Sequence, residues 1–295
     1  MERMTKEFSD FDSLWDYSRP AETEARFREL LPAAEDSPAL GAELLTQIAR
    51  AQGLQGRFAE ARATLDDLEP NLSGLPLRPR IRYLLELGRV YNSSGDPALA
   101  RPFFAEALQL AAADPRESFF AVDAAHMLAI VAAPEEALAW NLRALELVEA
   151  STDSRTRNWR GSLLNNIGWS YHEAGDFNNA LEFMERALVI RREQGQAAEI
   201  RIARWCVARV RRDLGQLAAA LSEQRTLLAE YDALDERSGY VYEEIGECLL
   251  GMGDSAAARS FFALAYQELA ADPWLVAHEP ARLIRLKALG NDALP

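Results

Sequence analysis

Lysine is almost missing from this chain of 295 residues: Lys6 and Lys287 are the only two, so arginine carries nearly all the positive charge. Val and Ile are sparse beside Ala, Leu, Arg and Glu, which favours helix and leaves little material for a sheet. Two cysteines, Cys206 and Cys248, are too few for a disulfide framework. No apolar run reaches the length of a membrane span, so a membrane is not an expected partner. The opening MERMTKEFSDFDSLWDYSRP has neither an apolar core nor a small-residue cleavage site. A signal peptide is therefore not expected, and the cytoplasm is the expected compartment. The formal charge is -14. Such a chain repels phosphate backbones, which argues against nucleic acid as a partner.

Catalytic motifs are missing as well. Ser162, His172 and Asp176 are the residue types of a hydrolase. On one helix, however, Ser162 and His172 lie about 15 Å apart at 1.5 Å per residue. A nucleophile and its base must approach to about 3 Å. His126, His172 and His278 fall on different expected helices, and no HExxH or paired CxxC spacing occurs. No phosphate-cradling glycine loop is present either. The expectation is a protein that is not an enzyme and carries no catalytic residue, metal ligand or cofactor.

What is there is a repeat. Ala61, Ala100, Ala137, Ala180, Ala220 and Ala258 recur at steps of 39, 37, 43, 40 and 38 residues. Five residues before each stands a turn position: Gly56, Gly95, Ala132, Gly175, Gly215 and Gly253. Glycine suits a helix that ends in the left-handed conformation. Twelve residues before each alanine stands another small residue: Ala49, Gly88, Ala125, Gly168, Ala208 and Gly246. The pattern predicts six helix pairs, with helices A and B of each pair crossing where only a small side chain fits.

Within this frame Leu87-Gly88-x-x-Tyr91, Ala100-x-x-x-Phe104 and Ala107 resemble a tetratricopeptide repeat, as does the stretch from Leu163 to Arg192. The resemblance covers roughly residues 20 to 272. Some pairs depart from it: Leu249 replaces the aromatic of the sixth, Ala133-Pro134 starts helix B of the third, and Arg211 and Gln224 replace the aromatic and the Phe of the fifth. The step near 40 is similar to the longer-helix variety of kinesin light chains and bacterial peptide-sensing regulators. The resemblance implies an all-α, right-handed superhelical solenoid with capping helices at both ends. Residues 1–37 would form an N-terminal cap with a lone helix carrying Phe27 and Leu30, helped by Phe8, Phe11, Trp15 and Tyr17. The repeats would lie near 42–75, 81–114, 118–150, 161–195, 201–234 and 239–272, and residues 273–295 would form a capping helix and tail. The polar stretch Ser151 to Arg157 is the expected hinge between pairs three and four.

The resemblance further implies that the A helices line a concave groove. One column of A-helix residues reads Gln47, Glu86, Asp123, Asn166, Cys206 and Glu244; a second, three residues on, reads Arg50, Arg89, His126, Trp169, Arg209 and Glu247. Three residues apart, the two columns share a helix face. The expected groove residues are Arg50, Glu86, Arg89, Asp123, His126, Asn165, Asn166, Trp169, Arg209 and Glu247. The resemblance gives Asn166 the task of holding a peptide backbone, with Asn165 before it. Glu86–Arg89 and Gln47–Arg50 can equally pair within their own helices on a solvated face. Arg201, Arg204, Arg209, Arg211 and Arg212 can receive acidic side chains or pair with Glu243, Glu244 and Glu247 of the next A helix. Trp140 and Trp159 are expected in the core and Trp169 in the groove. The implied function is a non-catalytic scaffold for a protein or extended peptide segment, of unassigned oligomeric state. The alternative is a ligand or signalling-peptide sensor whose superhelix changes shape on binding.

Overall fold

A computed structural model describes residues 11–291, all of whose regular structure is helical. Phe8 and the last four residues of the expected C-terminal tail lie outside the described residues. The chain divides into two compact units, Met1–Trp159 and Arg160–Pro295.

The first unit opens with a 3-10 turn at Phe11–Leu14 and helix α1 (Pro20–Leu30), with proline at its first position, where no N–H is needed. Phe27 of α1 is fully buried against Leu44 and Ile48, and Trp15 meets its ring edge-on at 5.3 Å. Three antiparallel pairs follow: α2 (Pro38–Leu54) with α3 (Phe58–Leu68), α4 (Leu77–Ser93) with α5 (Pro97–Ala112), and α6 (Ser118–Val131) with α7 (Pro134–Ala150). Gly56 and Gly95 turn their pairs at φ +73° and +100°, a conformation that costs a side chain dearly. Ala132 cannot follow them. It lies extended at φ −79°, and its neighbour Ala137 is only half-buried, whereas Ala61 and Ala100 are fully buried.

Ser151 to Arg157, the expected hinge, contains a capped turn, α8 (Ser154–Arg157). Asp153 accepts a hydrogen bond from the Thr156 amide at 2.8 Å, and fully buried Thr156 shares a hydroxyl contact with Ser118 at 3.0 Å. These bonds pin the segment to the start of α6.

The second unit repeats the scheme: α9 (Arg160–Glu173) with α10 (Phe177–Gln194), α11 (Ala197–Asp213) with α12 (Leu217–Ala233), and α13 (Gly239–Gly251) with α14 (Ser255–Leu269). It ends with α15 (Pro273–His278) and α16 (Pro280–Gly290), which lay Leu275, Leu283 and Leu286 over the apolar side of the last pair. Each unit is thus a helical solenoid whose small-residue columns set the crossings. A Cβ built on Gly88 would stand 2.5 Å from the Phe104 ring, one on Gly168 2.6 Å from Met184 Cγ, and one on Gly246 2.9 Å from the Phe262 ring. Where the small residue is Ala (Ala49, Ala125, Ala208), the facing B-helix position is Leu65, Asn141 or Gln224, without an aromatic ring. A ring at this B-helix position thus occurs only where the A helix supplies a glycine and leaves it room.

Candidate functional site

In the first unit α2, α4 and α6 bring Arg50, Glu86, Arg89 and Asp123 into one chain of charges. Arg89 donates to both oxygens of Asp123 at 2.5 and 2.6 Å and also to Glu86 Oε1, which Arg50 reaches at 3.4 Å. Glu86 and Asp123 are buried, at 2% and 5% exposure. Burial alone would push the Asp123 carboxyl up; Arg89 and Arg50 outweigh it and hold the group below its ordinary value. The Glu86–Arg89 pair therefore belongs to a buried network that crosses between repeats. His126, one turn on, is half-buried with its ring 5.2 Å from that of Trp159, and burial lowers its pKa.

A cavity of about 280 Å³ lies beside this network. Its walls include Trp15 and Tyr17, stacked at 5.0 Å, together with Phe119 and Trp159. Arg50 lies over both Trp15 and Tyr17, and Arg155 lies 3.6 Å over Phe119. Trp159, expected in the core, is a half-buried wall of this cavity, and Trp140 is likewise only half-buried.

In the second unit one groove-column residue, Trp169, joins aromatics of the next two A helices that stand outside the columns. Trp169 (α9), Trp205 (α11) and Tyr240 (α13) form a row with ring centroids 6.1 and 6.0 Å apart. Arg209 lies 5.5 Å from both tryptophan rings, a cation–π arrangement, and the Trp205 indole donates to the Tyr240 carbonyl at 3.2 Å. Trp169 and Trp205 are half-buried, and Tyr240 is 40% exposed. Asn165 and Asn166 on α9 are half-buried too, and their side-chain amides make no hydrogen bond among the described residues. Cys206, in the Asn166 column, is not on the surface; burial pushes its thiol up to about 12.

The arginine cluster pairs in several directions. Arg212 and Arg209 reach Glu244 at 2.7 and 3.6 Å, as the next-helix reading expects. Glu243 and Glu247, however, are taken by Arg282 and Arg285 of α16. Arg211 pairs with Glu185, Arg204 with Glu223 and Glu230, and Arg201 with Glu236. The hydrolase-like trio is spoken for separately. His172 bonds Asp213 at 2.7 Å, Ser162 accepts from Arg191 at 2.8 Å, and Asp176 caps α10 through the Asn179 amide. No group of metal-binding side chains occurs among the described residues, and none of their helices is long and apolar enough to cross a membrane.

Sequence reasoning missed Tyr240 and Phe119. Both stand four residues before the first groove column, alongside Glu43 and Arg82, which pair with each other at 3.0 Å. A column one helical turn earlier shares the same face, so reading it would have found both residues.

Models of the tetratricopeptide repeat family match residues 81–114 and 121–193. No curated protein sequence matches the chain. Among solved structures, BtubC (BKLC) from P. vanneervenii is 18% identical, covering 78% of this chain and 94% of that one, with a TM-score of 0.60. The apo form of the quorum sensor NprR from B. thuringiensis is 13% identical, over 98% of this chain and 81% of that one, with a TM-score of 0.64. NprR in complex with its cognate peptide NprX is 14% identical, over 100% and 90% of the two chains, with a TM-score of 0.55. At these identities the likeness is one of fold.

Proposed function

Since the chain is a tetratricopeptide-type helical repeat protein, we propose that it is a non-catalytic scaffold that binds a protein or extended peptide segment along its A helices. The observation that carries this reading is the row Trp169, Trp205 and Tyr240 beside the unpartnered amides of Asn165 and Asn166. An amide side chain both donates and accepts, which matches the alternating groups of a peptide backbone. Aromatic rings held by helix packing supply apolar contact with little entropy left to lose, the usual character of binding hot spots. Arg209 and Glu247 would flank the segment, and the charge of -14 makes a polyanionic partner unsuitable. The peptide complex of NprR supports a peptide as ligand on this fold. The test is unbiased partner capture with wild type and with Asn166→Ala/Tyr240→Ala. A partner retained by the wild type and lost by the folded variant supports the reading; equal retention overturns it. If binding also shifts the small-angle scattering profile, the scaffold works as a sensor.

A further inference from the structure

The first unit holds polar groups that its own ion pairs leave unsatisfied. Glu86 is 2% exposed, and its Oε2 has no hydrogen-bond partner among the described residues, although Oε1 receives both Arg89 and Arg50. Among the described residues Arg50 makes only that one long hydrogen bond of 3.4 Å, so most of its guanidinium donors are unspent there. Both residues line the aromatic cavity, and both also line a second cavity of about 190 Å³, whose walls include Leu54, Val90 and Met127. A buried acceptor without a donor is costly, and a donor set at the same place invites a group that supplies both.

We propose that this place binds a neutral peptide segment, with one peptide group between Arg50 and Glu86, an aromatic side chain in the first cavity and an aliphatic one in the second. The amide carbonyl accepts from Arg50 and the amide N–H donates to Glu86 Oε2. The choice of a neutral ligand follows from the surrounding charges. Asp123 is matched by Arg89, Glu86 by Arg50 and Arg82 by Glu43, and Arg155 is engaged over the Phe119 ring, so the pair Arg50–Glu86 offers no net charge to a carboxylate or an ammonium group alone. The first cavity suits a ring because Trp15, Tyr17, Phe119 and Trp159 present ring faces and edges around it. The inference deepens the peptide-binding reading and rests on it, but it uses none of the residues of the Trp169–Trp205–Tyr240 row.

The test is calorimetric titration of the full chain with N-acetyl-phenylalaninamide, with the indole N–H resonances of Trp15 and Trp159 followed by NMR to locate the ligand. Saturable binding that shifts both resonances is expected. N-acetyl-phenylalanine, a carboxylate, and phenylalaninamide, an amine, should bind about tenfold more weakly or worse, a difference of about 1.4 kcal/mol. N-acetyl-phenylalanyl-leucinamide should bind more tightly than the single residue, because it also reaches the second cavity. Arg50→Ala and, as a variant outside the charge network, Trp159→Leu should each weaken binding while the melting temperature reports the fold. Absence of saturable binding, preference for the carboxylate, or unchanged affinity in a folded Arg50→Ala protein would each overturn the proposal. Weaker binding of the dipeptide amide would overturn the segment and leave a pocket for a lone small molecule. Loss of this binding with the Asn166→Ala/Tyr240→Ala effect intact would sink this site and spare the reading it rests on.

Discussion

Arg89 sets one guanidinium nitrogen against both carboxylate oxygens of Asp123, tying α4 to α6 inside the protein. Removing one member of a buried pair strands the other, at about 3–5 kcal/mol. Asp123→Asn should therefore lower the stability measured by urea unfolding by that order. Arg89→Met/Asp123→Leu should cost much less, since both charges leave together and Arg50 remains beside Glu86.

The same pair carries a pH dependence. Burial raises the Asp123 carboxyl, but the arginines prevail, so its folded pKa lies below the ordinary 3.8. A depressed carboxylate stabilises fully above its unfolded pKa and loses that contribution as pH falls through the folded one. Wild type should lose stability below about pH 4 more steeply than the Arg89→Met/Asp123→Leu variant. Parallel acid unfolding curves would show that Asp123 contributes no linkage.

Gly88 and Phe104 share one crossing. Gly88→Ala places a methyl group where the ring is and should destabilise by roughly 1–3 kcal/mol. Adding Phe104→Leu should recover part of the loss, because the first pair has Ala49 and Leu65 at the equivalent positions. A double-mutant cycle with no coupling between the two sites would refute the shared-volume account.

Gln224 is fully buried, and neither amide atom is hydrogen-bonded among the described residues. Met184 occupies the equivalent place in the preceding pair. Gln224→Met should raise stability by about 1–3 kcal/mol, the cost of an unsatisfied buried polar group. A lowered melting temperature would mean the amide has a bridging water.

Cys206 and Cys248 are 2% and 0% exposed, and burial pushes both thiols up to about 12. A place in a groove column would imply an exposed thiol at Cys206. Instead, both should resist thiol reagent in the native protein and react together on unfolding. Rapid native labelling of Cys206 alone would contradict its placement.

The helix pairs were legible because packing writes them into residue size: Gly88, Gly168 and Gly246 are small for a steric reason that recurs at a fixed spacing. The third pair was less legible. Ala132 lacks the glycine conformation, and only the structure shows the extended turn that leaves Ala137 half-buried. The columns named Arg50, Arg89 and Arg209, but a column cannot tell a free charge from a paired one. Partners such as Asp123 and Glu244 sit on the next repeat, at a distance the helical period does not encode. Trp15 and Tyr17 escaped for a related reason: they precede the repeats, and their contact with Arg50 depends on how the N-terminal segment folds back.

The most direct measurement is the affinity of the wild type and of Asn166→Ala/Tyr240→Ala for the segment that capture identifies, taken alongside their melting temperatures. Loss of a hot-spot aromatic costs about 2 kcal/mol or more, so binding should weaken roughly thirtyfold while the melting temperature holds. A folded variant that binds the segment as tightly as wild type would contradict the claim that this row and these amides form the binding surface.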